Sequence, residues 1–341
     1  MKRWIKNTLI TGFWGLMILA WIVIGLFYVQ GSRPASDDNQ AQVFEVQPGM
    51  PLKHVAQQLS RQGLILSPSA FQAIAFIQNK QKQIMVGEYS LSPSMLPSEI
   101  LTRITSGKTV LHPVTIPEGY RLTEIAALLQ AEGLADPESF LHHTRDKSLI
   151  QSLGISAENL EGYLFPETYH FNKHSPELKI VQKMVATFKE QILTPPLLKS
   201  AEESSLSWHE IITLASLIEK ETGLNSERKI ISSVFHNRLR KNMRLQTDPT
   251  VIYAIEKFDG NIRKRDLRID SPYNTYRYKG LPPGPIANPG LKSIVAAMSP
   301  IESDHLYFVS RKDGSHHFSS TLIEHNQAVQ KYQLKKVRTR R

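Results

Sequence analysis

The sequence predicts an α+β protein in three parts: an apolar N-terminal segment, a small α/β module and a larger mixed α+β domain. Three observations carry this expectation. An uncharged apolar run lies near the start. A strand–turn–helix pattern then occurs twice, 70 residues apart. The C-terminal half alternates dense apolar stretches with proline- and glycine-rich loops and closes on a hairpin signal.

Residues 8–29 contain no charge and many large apolar side chains. About 20 such residues cross the hydrocarbon layer as a helix. Trp4, Trp14, Trp21 and Tyr28 offer interfacial anchors. Lys2, Arg3 and Lys6 precede the run; Arg33, Asp37 and Asp38 follow it. Bases on the short side place residues 1–7 in the cytoplasm and the main body outside it. A cleaved signal peptide has a shorter apolar core and a small-residue cleavage site, and no A-x-A pattern follows here. The expectation is a single-pass protein of the cytoplasmic (inner) membrane with a periplasmic or extracytoplasmic body.

The 341 residues are 41% hydrophobic and 21% charged, which excludes wholesale disorder. With no cysteine there is no disulfide framework, thiolate chemistry or sulfur-held metal. The net charge is +10, but it sits at the ends. Without the three N-terminal bases and the five of the tail 335–341, the balance falls to 33 bases against 31 acids. A nucleic-acid partner wants a basic face on a folded domain, so none is expected. No P-loop or G-x-G-x-x-G is present, and no cofactor or metal is expected.

Residues 30–42 are rich in Gly, Ser, Pro, Asp and Gln and read as a linker. The first repeat runs from Val46 through Gly49, Leu52, Val55, Ala56 and Leu59 to Gly63 and Leu64. The second runs from Ile116 through Glu118, Gly119, Leu122, Ile125, Ala126 and Leu129 to Gly133 and Leu134. Each reads as a short strand, a turn at Gly, a helix with period 3.6 and a Gly stop. Gly87 to Leu91 reads as a closing strand, and Ile100 to Gly107 as a helix with a Gly stop. The module spans 43–110 and the larger domain 111–341, with a basic tail.

Residues 175–205 read as a polar helical connector. From His209 to Thr222 the apolar density is that of a buried helix, with Ile211, Leu214, Ala215 and Ile218 on one stripe. At about 100° per residue, Glu219 and Glu221 fall roughly 200° apart. Either could emerge from an apolar wall, which keeps a carboxyl protonated for donation. A second helix, capped by Asn225 or Ser226, presents Ile230, Val234 and Leu239 on one face and several bases on the rest. Asp248-Pro249 marks a turn.

Ser271 to Tyr278 is aromatic and polar, and Gly280 to Gly290 contains four prolines. A loop of that kind has one shape. Aromatic and amide side chains on fixed loops suit sugars, which offer hydroxyls and an apolar ring face. Leu291 to Met298 reads as a helix, Leu306 to Ser319 as a hairpin, and Thr321-Leu-Ile-Glu324 as a capping box.

Two resemblances follow from these residues. The module resembles the LysM type, a small β-α-α-β fold that binds N-acetylglucosamine-containing glycans. From the anchor to about residue 335, the chain resembles the membrane-anchored endolytic murein (peptidoglycan) transglycosylases, the YceG-like or MltG family. The motifs are Ala215–Thr222 (ASLIEKET), Ser226–Arg228, Val234–Leu239, Met243–Tyr253 (MRLQTDPTVIY), Tyr273–Tyr276, Gly280–Gly290 and Leu306–Val309. The resemblance implies Glu219 as the catalytic acid and base of a lyase. Such enzymes cleave the β-1,4 bond between N-acetylmuramic acid and N-acetylglucosamine, leaving a 1,6-anhydro end. An intramolecular attack needs one group to protonate the leaving oxygen and to deprotonate the C6 hydroxyl. It also assigns Glu221, Arg238, Gln246, Asp248, Tyr273, Asn274 and Tyr276 to the glycan groove, with Asp248 compensating Arg238.

The partners this implies are peptidoglycan strands, penicillin-binding proteins and the elongation or division machinery. Three alternatives remain: a hydrolase with Glu219 as acid and Asp248 as base, a non-catalytic membrane-anchored peptidoglycan-binding scaffold, and a metal-dependent amidase built on His305, His316, His317 and His325. The last lacks any H-E-x-x-H spacing.

Overall fold

The computed structural model describes residues 31–334 and, before them, only Trp14, Met17, Ile18, Trp21, Ile22, Gly25 and Val29. The anchor expected at 8–29 and the basic tail therefore lie essentially outside the described residues. Among the described residues no helix is long and apolar enough to cross a membrane. The chain divides into two compact units, residues 1–112 with 172–174, and residues 113–171 with 175–341.

The first unit pairs strand β1 (Gln42–Val46) antiparallel with β2 (Gly87–Leu91), Gln42 opposite Leu91 and Val46 opposite Gly87. Helices α1 (Leu52–Arg61) and α2 (Pro68–Ile77) lie between them in sequence, and α3 (Pro97–Ser106) follows. Period-2 alternation sends Phe44 and Val46 inward. Val55, Ala56 and Leu59 of α1 meet them, with Phe71, Tyr89, Ile100 and Ile104. Each such side chain contributes about 1.5–3 kcal/mol by burial, and Leu59→Ala would cost about 2–5 kcal/mol. The Ser67 side chain accepts from the Ala70 amide, and Pro68 opens α2.

Strand β3 (His112–Thr115) begins at the last residue of the first unit, continues into the second and pairs with β4 (Thr168–Phe171). Between them run α4 (Leu122–Ala131), α5 (Pro137–Arg145) and α6 (Lys147–Ser152). The two repeats fold alike: Gly49 and Gly119 turn at φ 75° and 77°, and Gly63 and Gly133 stop the helices at 69° and 66°. Then come α7 (Glu177–Ile192), α8 (Pro195–Glu203), α9 (Trp208–Glu221), α10 (Asn225–Arg240), α11 (Asp248–Ala254) and, after a long irregular loop, α12 (Leu291–Met298). Strands β5 (Tyr307–Ser310) and β6 (His316–Ser319) form a hairpin, and α13 (Leu322–Val329) follows.

Helix α9 is the hub. Ser207 and Glu210 form its capping box, and every residue from Ile211 to Ile218 is buried. It is the buried helix expected, covered beyond the one apolar stripe because α10, α11 and α12 all pack on it. The polar connector expected at 175–205 is corrected. Helix α7 buries Ile180, Val181, Met184, Val185, Phe188 and Ile192 in the main core. On α10 the buried face is Ile231, Val234 and Phe235, and no side chain caps its start. Asp248-Pro249 opens α11 rather than making a free-standing turn, with Pro where no intrahelical donor is needed.

Candidate active site

The end of α9 delivers Glu219 from the core into a polar cradle. Arg228 Nη2 donates to its Oε1 at 2.8 Å, and the Gly290 amide donates to its Oε2 at 3.1 Å. The side chain is 7% exposed and that of Arg228 5%. Arg228 is itself held: Nε donates to Ser293 Oγ at 2.9 Å, and Nη1 to Asn225. The two donors to Glu219 arrive from the first turn of α10 and from the residue that precedes α12, whose Ser293 accepts from Arg228. Where the sequence allowed an apolar wall beside either Glu219 or Glu221, the two oxygens of Glu219 are each held by a protein donor.

A second carboxylate reaches the same arginine. Glu118, in the second repeat's turn, places Oε2 3.7 Å from Arg228 Nη2 and is 48% exposed on its side chain. The turn is pressed against the end of α9. A Cβ at Gly119 would lie 3.6 Å from Glu219 Cγ, and Lys220 Nζ donates to the Gly119 carbonyl at 3.1 Å. A Cβ at Gly290 would overlap the Glu118 carboxyl and come 2.8 Å from its Cγ. With Glu118 where it stands, any side chain at 290 would have to push that carboxyl aside.

Asn288 fastens the proline-rich loop to this turn. Its Oδ1 accepts from the Leu164 amide at 2.9 Å, and its Nδ2 donates to the Tyr120 carbonyl at 2.8 Å and to Glu161 Oε1 at 3.2 Å. Its main chain exchanges bonds with Gly119 and Tyr120. Glu161 also accepts from the Leu122 amide at 3.0 Å. Burial pushes its carboxyl up to about 8, against the pull of those donors.

Glu221 points elsewhere, as the helical spacing requires. It accepts from the Thr247 hydroxyl. Burial pushes it up to about 7, the Thr247 bond opposing and nearby Asp248 adding to the rise. It lines a cavity of about 490 Å³ with Arg238, Gln246, Asp248, Tyr276 and His316. Arg238 does not pair with Asp248. Its Nε donates to the Leu306 carbonyl at 2.6 Å, its Nη1 to Leu245 at 2.7 Å, and it lies over Tyr307. Asp248 Oδ1 accepts instead from the Tyr276 hydroxyl at 2.6 Å.

The residues expected in one groove are thus divided. Glu221, Arg238, Gln246, Asp248 and Tyr276 share one cavity. Tyr273 packs on Tyr253 at 4.8 Å between ring centres and lines another cavity, of about 380 Å³, with His209 and Pro283. Asn274 is fully buried. Its amide donates to Leu267 and Ile269 and accepts from the Tyr276 amide, so it shapes the loop from within.

Arg228, Glu118 and Gly290 were not singled out by the sequence reading. Arg228 lies in a quoted motif nine residues after Glu219, and the repeat's turn marked Glu118. The C-terminal histidines are engaged separately: His316 Nδ1 pairs with Glu227 at 2.7 Å, and His325 stacks on Tyr307. Among the described residues no group of three potential ligands could hold a metal ion.

The sequence profile of the YceG-like family matches residues 44–331. An endolytic murein transglycosylase of Bacillus subtilis (strain 168) is 36% identical over 332 residues, 91% of each chain. An endolytic murein transglycosylase of Streptococcus pneumoniae serotype 2 (strain D39) is 31% identical over 341 residues, 89% of this chain and 61% of that protein. The 2.6 Å crystal structure of a YceG-like protein from Listeria monocytogenes is 36% identical. Its TM-score is 0.59, over 85% of this chain and 99% of that one.

Proposed function

Because the chain belongs to the YceG-like family, we propose that it is an endolytic murein transglycosylase, a lyase of peptidoglycan glycan strands, with Glu219 as its acid and base. The carrying observation is that Glu219 directly follows the buried stretch 211–218 of α9, with each of its carboxyl oxygens held by a protein donor. A single such carboxyl suffices for this chemistry. The muramyl C6 oxygen bonds to C1 as the bond from C1 to the N-acetylglucosamine O4 breaks. Glu219 gives its proton to O4 and takes one from the C6 hydroxyl, so the protons balance. The nucleophile is tethered to the reacting sugar, so proximity replaces a bound water. Arg228 and the Gly290 amide fix where the carboxyl points.

The cavity beside Glu221 supports a groove reading for Arg238, Gln246, Asp248 and Tyr276. The order β1–α1–α2–β2 supports a LysM-like first unit. Residues 8–29 serve as an uncleaved membrane anchor that leaves both units outside the cytoplasm. There the enzyme acts on nascent strands beside the synthases that make them.

The test is digestion of purified peptidoglycan by the whole chain and by Glu219→Gln, with the fragments analysed by mass spectrometry. Anhydro ends from the parent alone are expected. Reducing ends, one water heavier, would overturn the lyase in favour of a hydrolase. Equal products from both proteins would remove Glu219 from the chemistry.

A further inference from the structure

The first unit holds a long stretch of chain without a single acid, part of which packs where the chain leaves its N-terminal segment. Residues 46–87 contain Lys53, Arg61, Lys80 and Lys82 and no Asp or Glu. Within them, α2 turns Ala70, Phe71 and Ala75 inward. Its last two residues remain uncovered, Phe76 at 64% and Ile77 at 84% exposure. Large apolar side chains left in water at a helix end, next to bases, are a pattern of interfacial binding.

The geometry says what lies over them. On a helix, residues 70, 74 and 77 share one stripe. Gly31 is seated on that stripe: a Cβ built there would lie 3.2 Å from Ile74 Cδ1 and 3.7 Å from Ala70 Cβ. Gly31 follows the apolar run 8–29 by two residues, so it stands at the edge of the hydrocarbon if that run spans. Beyond that edge the headgroup layer extends about 5–8 Å. Ile77 is one turn past Ile74, about 5 Å along the axis. That rise is no more than the depth of the layer.

We propose that the end of α2 and the loop after it, residues 76–82, seat in the headgroup layer of an anionic bilayer. Ile77 and Phe76 enter the apolar boundary. Lys82 is exposed and meets lipid phosphates, as does Lys80, which also donates to Thr102. Near an anionic surface each such base adds to the attraction, which salt weakens. This contact rests on the anchor reading above, and it fixes the first unit against the membrane instead of letting it swing on a linker.

The chain has no cysteine, so Ile77→Cys and Val29→Cys each give one attachment point for an environment-sensitive fluorophore. The whole chain is placed in phosphatidylglycerol-containing vesicles, with and without brominated lipid. The proposal expects blue-shifted, quenched emission at both sites, weakening at position 77 alone in phosphatidylcholine. Quenching at 29 with water-like emission at 77 would overturn the proposal and leave the anchor standing. Water-like emission at both would overturn the anchor, and the proposal with it.

Discussion

Arg228 donates to Glu219 at 2.8 Å, and with the same Nη2 it stands 3.7 Å from Glu118. One guanidinium therefore serves a buried carboxylate and a half-exposed one. The first pair is nearly dry; the second faces solvent.

Removing one member of a buried pair leaves the other charge uncompensated, at a cost of about 3–5 kcal/mol. Arg228→Met is expected to lower the melting temperature sharply and abolish anhydro products. Arg228→Lys, which lacks the planar fork that also reaches Ser293 and Asn225, is expected to recover stability only in part. Calorimetry with product analysis checks both. Glu219→Gln keeps an acceptor for Gly290 and should lose about 10²–10⁴-fold in rate.

Glu118 is exposed enough that its pair with Arg228 contributes less than about 1 kcal/mol to stability. Glu118→Gln is expected to leave the melting curve nearly unchanged while slowing glycan cleavage on the order of tenfold, about 1.4 kcal/mol of barrier. Unchanged turnover would place Glu118 outside the site.

Gly290 sits at φ −74°, ordinary backbone for any residue, so a side chain there meets only the Glu118 carboxyl in its way. Gly290→Ala should displace the Glu118 carboxyl and disturb the amide that holds Glu219. Combining it with Glu118→Ala removes the obstruction. The double-mutant cycle is expected to show favourable coupling, measured as stability and as rate.

Glu161 and Glu221 are held at about 8 and about 7, above the ordinary value of 4.5. The native state thus keeps protons that the unfolded chain gives up. The sign follows: stability is fully present below about pH 4.5 and declines as pH rises through 7 and 8. For the deeply buried Glu161 the loss is on the order of a few kcal/mol. Thermal melts from pH 5 to 9 should show the decline, and Glu161→Gln should flatten it. A flat parent profile would count against a protonated Glu161.

Asp248 and Tyr276 share a short hydrogen bond at the mouth of the Glu221 cavity. Tyr276→Phe should weaken glycan binding a few-fold, about 0.5–1.5 kcal/mol, with little change in melting. Binding equal to the parent's would remove the pair from the groove.

Much of this was legible from local pattern. The apolar density of 211–218 announced a buried helix, and the two glycine turns announced the repeats. Helical spacing alone separated Glu219 from Glu221. What pattern could not supply was convergence. Glu118 and Glu219 are 101 positions apart, and only the folded chain shows that one arginine joins them. Helix α7 reads as polar from composition because Lys179, Lys183 and Lys189 dilute its mean hydropathy, although its apolar stripe is intact. Asn274 looked like a sugar contact because an amide on an aromatic loop serves sugar and backbone equally well.

Asn288 has a chemical consequence for the lifetime of the site. An asparagine ages to aspartate when the next residue's backbone nitrogen attacks its side-chain amide and closes a five-membered ring. Pro289 follows Asn288, and a proline nitrogen has no proton to give up. That route is closed. An aspartate there would set a carboxylate against Glu161 and the Tyr120 carbonyl and unfasten the loop. In a chain expected to work outside the cell's repair systems, the fastening is built from an asparagine that does not age by this path.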